Sequence, residues 1–64
     1  MRRFRTRIFK ENGNWLFRWD NIDVPGVCYV TPPLSSKKEA EMRRDAFMEA
    51  ERRKNGLTSF ESEE

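Results

Sequence analysis

RIFKENGNWLFRW, residues 7–19, holds the pattern that decides the fold. Its centre, Asn12-Gly13, is the dipeptide that most strongly favours a two-residue hairpin loop, because both positions of a type I′ turn need a positive φ. On either side, aromatic and β-branched residues alternate with polar ones, which is typical of half-buried strands. The sequence therefore predicts an antiparallel hairpin that turns at Asn12 and Gly13.

The two-residue loop also sets the register of the hairpin. It predicts seven cross-strand pairs, namely Glu11–Asn14, Lys10–Trp15, Phe9–Leu16, Ile8–Phe17, Arg7–Arg18, Thr6–Trp19 and Arg5–Asp20. Because side chains alternate along a strand, the register separates two faces. The predicted core face carries Phe4, Thr6, Ile8, Trp15, Phe17 and Trp19. The opposite face is basic with an apolar patch, and it carries Arg3, Arg5, Arg7, Phe9, Leu16, Arg18 and Asp20.

The remaining elements follow from local signals. A connector over residues 21–26 leads to a short β-branched and aromatic run, 27–31, which predicts a third strand that Pro32-Pro33 ends. Ser36 and Glu39 fit a capping box, in which each side chain accepts from the other residue's backbone N–H. A helix is expected from Lys37 to about Lys54, with Gly56 just past its end. Its sheet-facing stripe is expected to be Ala40, Arg43, Ala46, Phe47 and Ala50.

These elements predict an α+β fold, a three-stranded antiparallel sheet packed against one C-terminal helix (β-β-β-α). We expect residues 1–57 to form the single domain and residues 58–64 to form a flexible acidic tail. A chain of 64 residues has room for one modest core and little room for a deep cleft.

Composition argues against several classes of function. The chain has no histidine and one cysteine, Cys28, so neither an internal disulfide nor a zinc site is expected. The carboxylates alternate with bases along the helix as on a solvated face, so we expect no catalytic residues, no enzyme activity and no cofactor. No apolar run is long enough to span a membrane or to form a signal peptide. We expect a cytoplasmic protein that is a monomer or a weak dimer.

Charge is distributed unevenly along the chain. The net charge is +2, yet residues 1–19 hold six bases against one acid, Glu11. An arginine-bearing sheet face is often no more than a soluble surface that resists edge pairing. Here, however, the choice of arginine over lysine suits phosphate or guanine, and Arg7 opposite Arg18 costs stability unless an anion binds there. The basic face is therefore interpreted as a binding surface.

The chain resembles the DNA-binding domain at the N-terminus of phage and transposon tyrosine integrases. The resemblance is carried by the hairpin RIFKENGNWLFRW, the third strand and the segment LSSKKEAEMRRDAF. That integrase domain is in turn similar to the plant AP2 domain. The shared features are a Gly-aromatic step opening the second strand (Gly13-Asn14-Trp15) and a Ser-capped helix with a Glu-Ala step (Glu39-Ala40). The resemblance covers roughly residues 4–54. It implies a sheet face that lies in the major groove of DNA, and no recombinase activity, which would reside in a separate catalytic domain.

By position, the resemblance and the basic face assign contact with duplex DNA to Arg3, Arg5, Arg7, Phe9, Lys10, Leu16 and Arg18. The Gly-aromatic step also looks like that of small bacterial β-β-β-α proteins that pair into dimers, for which DNA binding is not implied. The alternative is accordingly a small phage-type or bacterial protein-interaction module. It would bind a host protein through the same sheet face, with an apolar patch of Phe9, Leu16, Ile22 and Val24.

Overall fold

The hairpin forms at the predicted turn. In the structure, a computed structural model that describes residues 2–63, Asn12 and Gly13 have φ of 52° and 80°. They join strand β1 (Arg2–Glu11) to strand β2 (Asn14–Asn21). All seven predicted cross-strand pairs are confirmed, and the pairing extends to Phe4 opposite Asn21. The turn chemistry and the alternation of side chains therefore agree on one register.

The third strand is present but shorter than predicted. Strand β3 (Cys28–Val30) pairs antiparallel with β2, with Tyr29 opposite Trp19. The connector before it begins with a turn in which the Asn21 side-chain oxygen accepts from the N–H groups of Asp23 and Val24. After Pro32 and Pro33, Leu34 makes two backbone hydrogen bonds with Trp15, of 3.0 and 2.8 Å. The chain thus stays beside β2 until the helix begins.

The prediction of three strands is wrong, because the sheet has a fourth. Strand β4 (Thr58–Glu63) lies parallel to β1, and the order across the sheet is β3-β2-β1-β4. It occupies the segment expected to be a flexible tail, of which Glu64 lies outside the described residues. Two interactions stabilise this strand. Its backbone pairs with groups at the edge of β1 that would otherwise lack hydrogen-bond partners, and the ring of Phe60 stacks on that of Phe4, with 5.9 Å between the ring centres. The α+β class itself is confirmed.

The helix begins and ends as its capping residues predict. Helix α1 (Lys37–Asn55) has Ser36 as its N-cap, and the Ser36 hydroxyl accepts from the N–H of Glu39. The second half of the predicted capping box is shifted by one residue, because the Glu39 carboxylate accepts from the N–H and hydroxyl of Ser35. Gly56, with φ of 70°, ends the helix, and its N–H donates to the Arg52 carbonyl.

The predicted sheet-facing stripe of α1 is partly wrong. Ala40 is fully buried and Phe47 is half-buried, but Arg43, Ala46 and Ala50 are exposed. The helix is rotated so that positions 44, 48 and 51 take their places. Phe47 decides this rotation, because its ring stacks on Trp19 at 4.8 Å and meets Phe4 edge-on at 5.2 Å. A large ring gains far more from burial than alanine methyl groups do.

The core lies between the sheet and α1. Its buried apolar residues are Phe4, Phe17, Leu34 and Ala40, and Thr6 and Thr31 are buried with them. No helix within residues 2–63 is both long enough and apolar enough to cross a membrane. One face of the sheet is thus covered by α1, and the other is left uncovered by it.

Thr31 supplies a hydrogen bond that the core needs. Its hydroxyl accepts from the N–H of Phe17 at 3.1 Å, while its own N–H donates to the Phe17 carbonyl. Thr31→Val keeps the shape of the side chain but leaves the buried N–H of Phe17 without a partner. We expect a loss of about 1–3 kcal/mol in the free energy of unfolding, measured by urea denaturation. Thr31→Ser, which retains the hydroxyl, should lose clearly less; equal losses for both variants would contradict this role.

Candidate nucleic-acid interface

The sheet face that points away from α1 brings together six of the seven predicted DNA-contacting residues. We call it the outer face. Because paired residues point to the same side of a sheet, the registers assign to it Arg3, Arg5, Arg7, Phe9, Leu16, Arg18, Asp20, Cys28, Val30, Ser59 and Glu61. Four arginines therefore share one sheet face that α1 does not cover. This grouping is the one that the hairpin register predicts.

Lys10 is the exception among the seven. It pairs with Trp15, so it lies on the helix side of the sheet. Its Nζ is 5.8 Å from the centre of the Trp15 ring, and the Nζ of Lys37 lies at the same distance from that ring. Lys10 therefore lies apart from the arginines of the outer face, and its predicted contact with DNA stays a prediction.

Carboxylates neutralise one end of the outer face. Asp20 contacts both Arg18, at 3.1 Å, and Arg5, at 3.5 Å. Arg3 donates to Asp23 of the connector at 2.5 Å. The Asp20 contacts follow from the predicted register, since Asp20 lies opposite Arg5 and two residues from Arg18. The Arg3–Asp23 pair joins two segments 20 residues apart, and no local pattern indicates it.

The Arg3–Asp23 pair shifts the ionisation of both groups. The hydrogen bond from Arg3 holds the pKa of the Asp23 carboxyl below its ordinary value, and the same bond raises the pKa of Arg3. A carboxylate with a lowered pKa stabilises the folded state above its unfolded pKa, and this contribution is lost as the pH falls through the folded pKa. Acid therefore weakens the contact between β1 and the connector.

Strand β4 adds negative charge that sequence reasoning missed. Glu61 lies opposite Arg5 in the parallel register, and its charge contributes to the raised pKa of Arg3. The alternation of Phe60 and Glu61 is the one local signal for a strand here, and a single apolar residue among polar ones is too weak to predict pairing.

Near the hairpin turn, the outer face carries the basic residue Arg7 beside the apolar residues Phe9 and Leu16. The guanidinium carbon of Arg7 lies 5.0 Å from the centre of the Phe9 ring, within cation–π range. Among the side chains that the structure describes, none forms an ion pair with Arg7. Phe9 and Leu16 are half-buried neighbours on this face. Arg7, which no described carboxylate contacts, thus borders the apolar patch, and strand β4 places Glu63 opposite it.

The metal-ligating side chains of residues 2–63 lie apart from one another. Within this range, no three Cys, Asp or Glu side chains come close enough together to hold a metal ion. Cys28 is an exposed free thiol. Comparison with models of protein families, with curated proteins and with solved structures finds no match to this chain. The resemblance to the integrase domains therefore rests on the residues quoted above.

Proposed function

We propose that this chain is a DNA-binding domain that lays the outer face of its sheet in the major groove of duplex DNA. It would serve in the manner of the phage and transposon integrase domains that its hairpin and helix resemble. The observation that carries the proposal is the set of four arginines on one sheet face that α1 leaves uncovered. The major groove admits a two-stranded β-ribbon, and arginine is the commonest residue to contact guanine in it.

The carboxylates on the outer face are compatible with this function. The side chains of Arg3 and Asp23 are 47% and 42% exposed, and exposed ion pairs typically contribute only about 0–1 kcal/mol. A phosphate can therefore replace such a carboxylate at little cost. Asp20, held between Arg5 and Arg18, orients both guanidinium groups and could accept a hydrogen bond from the amino group of cytosine. The acids would also weaken binding to DNA of the wrong sequence.

A salt titration tests the proposal. The affinity for a short fluorescein-labelled duplex is measured by anisotropy at several salt concentrations between about 50 and 200 mM. If each of the four arginines neutralises one phosphate, the logarithmic slope is about −3.6, a loss of about 100-fold in affinity over this range. Absence of salt-sensitive binding at micromolar protein would contradict the proposal.

A protein-interaction module is the second candidate, and one observation favours it. The connector and β3 expose four apolar side chains near one edge of the sheet, with Val24, Val27, Tyr29 and Val30 each between 42% and 47% exposed. Of the apolar patch that the sequence predicts for such a module, Ile22, Phe9 and Leu16 are half-buried. Exposed apolar side chains along the edge strand of a sheet favour contact with a protein. The same titration separates the candidates, because this module would leave DNA unbound at every salt concentration.

A further inference from the structure

A groove between β1 and the first half of α1 carries a second group of cations. Its volume is about 270 Å³, and it is lined by Arg7, Ile8, Phe9, Trp15, Lys37, Glu41 and Arg44. Strand β4 lies beside β1 only as far as Arg7, whereas β1 continues to Glu11. The groove therefore lies along the part of β1 that pairs with β2 but extends past the described end of β4.

The charges around the groove are mostly positive. Arg7, Lys37 and Arg44 line it, against Glu41 as the carboxylate among the lining residues. Arg44 contacts Asp45 at 3.1 Å, but none of the described side chains forms an ion pair with Lys37. Lys10, which the sequence assigned to the DNA contact, lies beside this group over the Trp15 ring. Among the described side chains, Arg7 and Lys37 thus differ from Arg3, Arg5, Arg18 and Arg44, which contact carboxylates.

Arg7 connects the groove to the outer face. It belongs to the outer face by its register with Arg18, and it also lines the groove. A protein element in the major groove has a phosphate backbone along each of its sides, and contacts to phosphate set its position. A concave surface lined by cations concentrates positive potential at such a place. Arginine can hold a phosphate in a fork, and lysine contributes a point charge.

We infer that this groove binds phosphodiester oxygens of one DNA strand, so that the DNA interface continues from the outer face over the edge of β1 onto α1. The inference rests on the proposed function. It gives Lys37 and Arg44 a role that the sequence did not indicate. It also explains why cations on two sides of the sheet converge at the hairpin end.

Two double variants with the same change in charge test the inference. Lys37→Gln with Arg44→Gln removes two cations that line the groove. Lys38→Gln with Arg43→Gln removes two exposed cations of the same helix that do not line it. Loss of two phosphate contacts should reduce the magnitude of the salt slope by about 1.8 and the affinity by about 10-fold. The control pair should leave the slope unchanged, because it alters only the long-range potential.

A third variant changes the charge in the opposite direction. Glu41→Gln removes the carboxylate from the groove lining, and it should strengthen DNA binding several-fold if a phosphate lies there. Circular dichroism shows whether each variant keeps its helix. If the wild-type chain binds DNA, and the Lys37/Arg44 variant retains the slope of its control while Glu41→Gln has no effect, the groove inference is overturned and the outer-face proposal stands.

An independent readout separates failure of the groove from failure of the proposed function. If the wild-type chain binds no DNA, the proposed function is overturned, and the groove is then tested with pyrophosphate. The probe is titrated while the indole N–H signal of Trp15 is followed by NMR. A saturable shift that is absent in the Lys37/Arg44 variant supports a phosphate site in the groove. No shift in the wild-type chain overturns it.

Discussion

Replacing Arg7 and Arg18 together with glutamine is expected to lower the affinity for duplex DNA by about 100-fold without unfolding the protein. Each arginine contact to a base or phosphate contributes about 1–3 kcal/mol of binding free energy. The two residues lie directly opposite each other on the outer face, where like charges destabilise a strand pair by about 0.2–1 kcal/mol. Relief of that repulsion should offset part of the loss of the partly buried Arg18–Asp20 contact, and Asp20 keeps its contact with Arg5. Anisotropy titrations and thermal unfolding measure the two quantities.

Comparing the DNA affinity of the Arg7/Arg18 variant with that of a control variant distinguishes a binding face from a face that only keeps the protein soluble. The Lys38/Arg43 variant removes the same amount of charge from the exposed side of α1 and should bind DNA nearly as well as the wild-type chain. If the sheet variant and this control lose affinity equally, binding depends on net charge, and the outer face has no special role. A sheet variant that binds like the wild-type chain would exclude both arginines from the interface.

Phe47→Ala is expected to have the largest effect on stability. Phe47 is the aromatic residue through which α1 holds the sheet, with ring contacts to Phe4, Phe17, Trp19 and Phe60. Phe47 is half-buried, so its truncation should cost toward the lower end of the about 3–5 kcal/mol that is typical of a core phenylalanine. A domain of this size has a total stability of about 3–10 kcal/mol, so the variant should be largely unfolded or close to it. Urea denaturation followed by tryptophan fluorescence measures the loss, because Trp19 stacks on Phe47.

A matched substitution on the same helix controls for helix propensity. Met42 is 62% exposed, so Met42→Ala should change the free energy of unfolding by less than about 0.5 kcal/mol. Phe47→Leu should recover much of the stability, since it retains most of the buried apolar area. An unfolding midpoint for Phe47→Ala equal to that of Met42→Ala would show that α1 does not depend on this contact.

The pattern of ion pairs changes which arginines matter most for the proposed interface. From the sequence, the arginines of β1 and β2 are equivalent members of one basic face. In the structure, Arg3, Arg5 and Arg18 contact carboxylates, whereas Arg7 lies over Phe9 and beside the groove that Lys37 and Arg44 line. Among the described side chains, Arg7 is therefore the arginine of the outer face that forms no ion pair. The Arg7/Arg18 double variant therefore includes the arginine that no described carboxylate contacts.

The sequence by itself determined the hairpin, its register and the two faces of its strands. Asn12-Gly13 permits one tight turn, and the period of two along β1 and β2 then leaves no choice about which side each residue takes. The helix ends were equally local, because Ser36 and Gly56 act on backbone groups within four residues of themselves. The same register places six of the seven candidate DNA contacts on one face, and it places Lys10 on the other, beside Trp15.

Only the tertiary structure decided the rest. The pairing of β4 with β1, the rotation of α1 about Phe47 and the contact between Arg3 and Asp23 all join residues far apart in the chain. Local patterns cannot predict such contacts, because each depends on surfaces that exist only after other elements have packed. The groove beside Trp15 is of the same kind, since its cations come from a strand and a helix that meet only in the folded protein. Local chemistry thus set the arginine face and its contacts with Asp20, and long-range packing set the Arg3–Asp23 pair and the cations that line the groove.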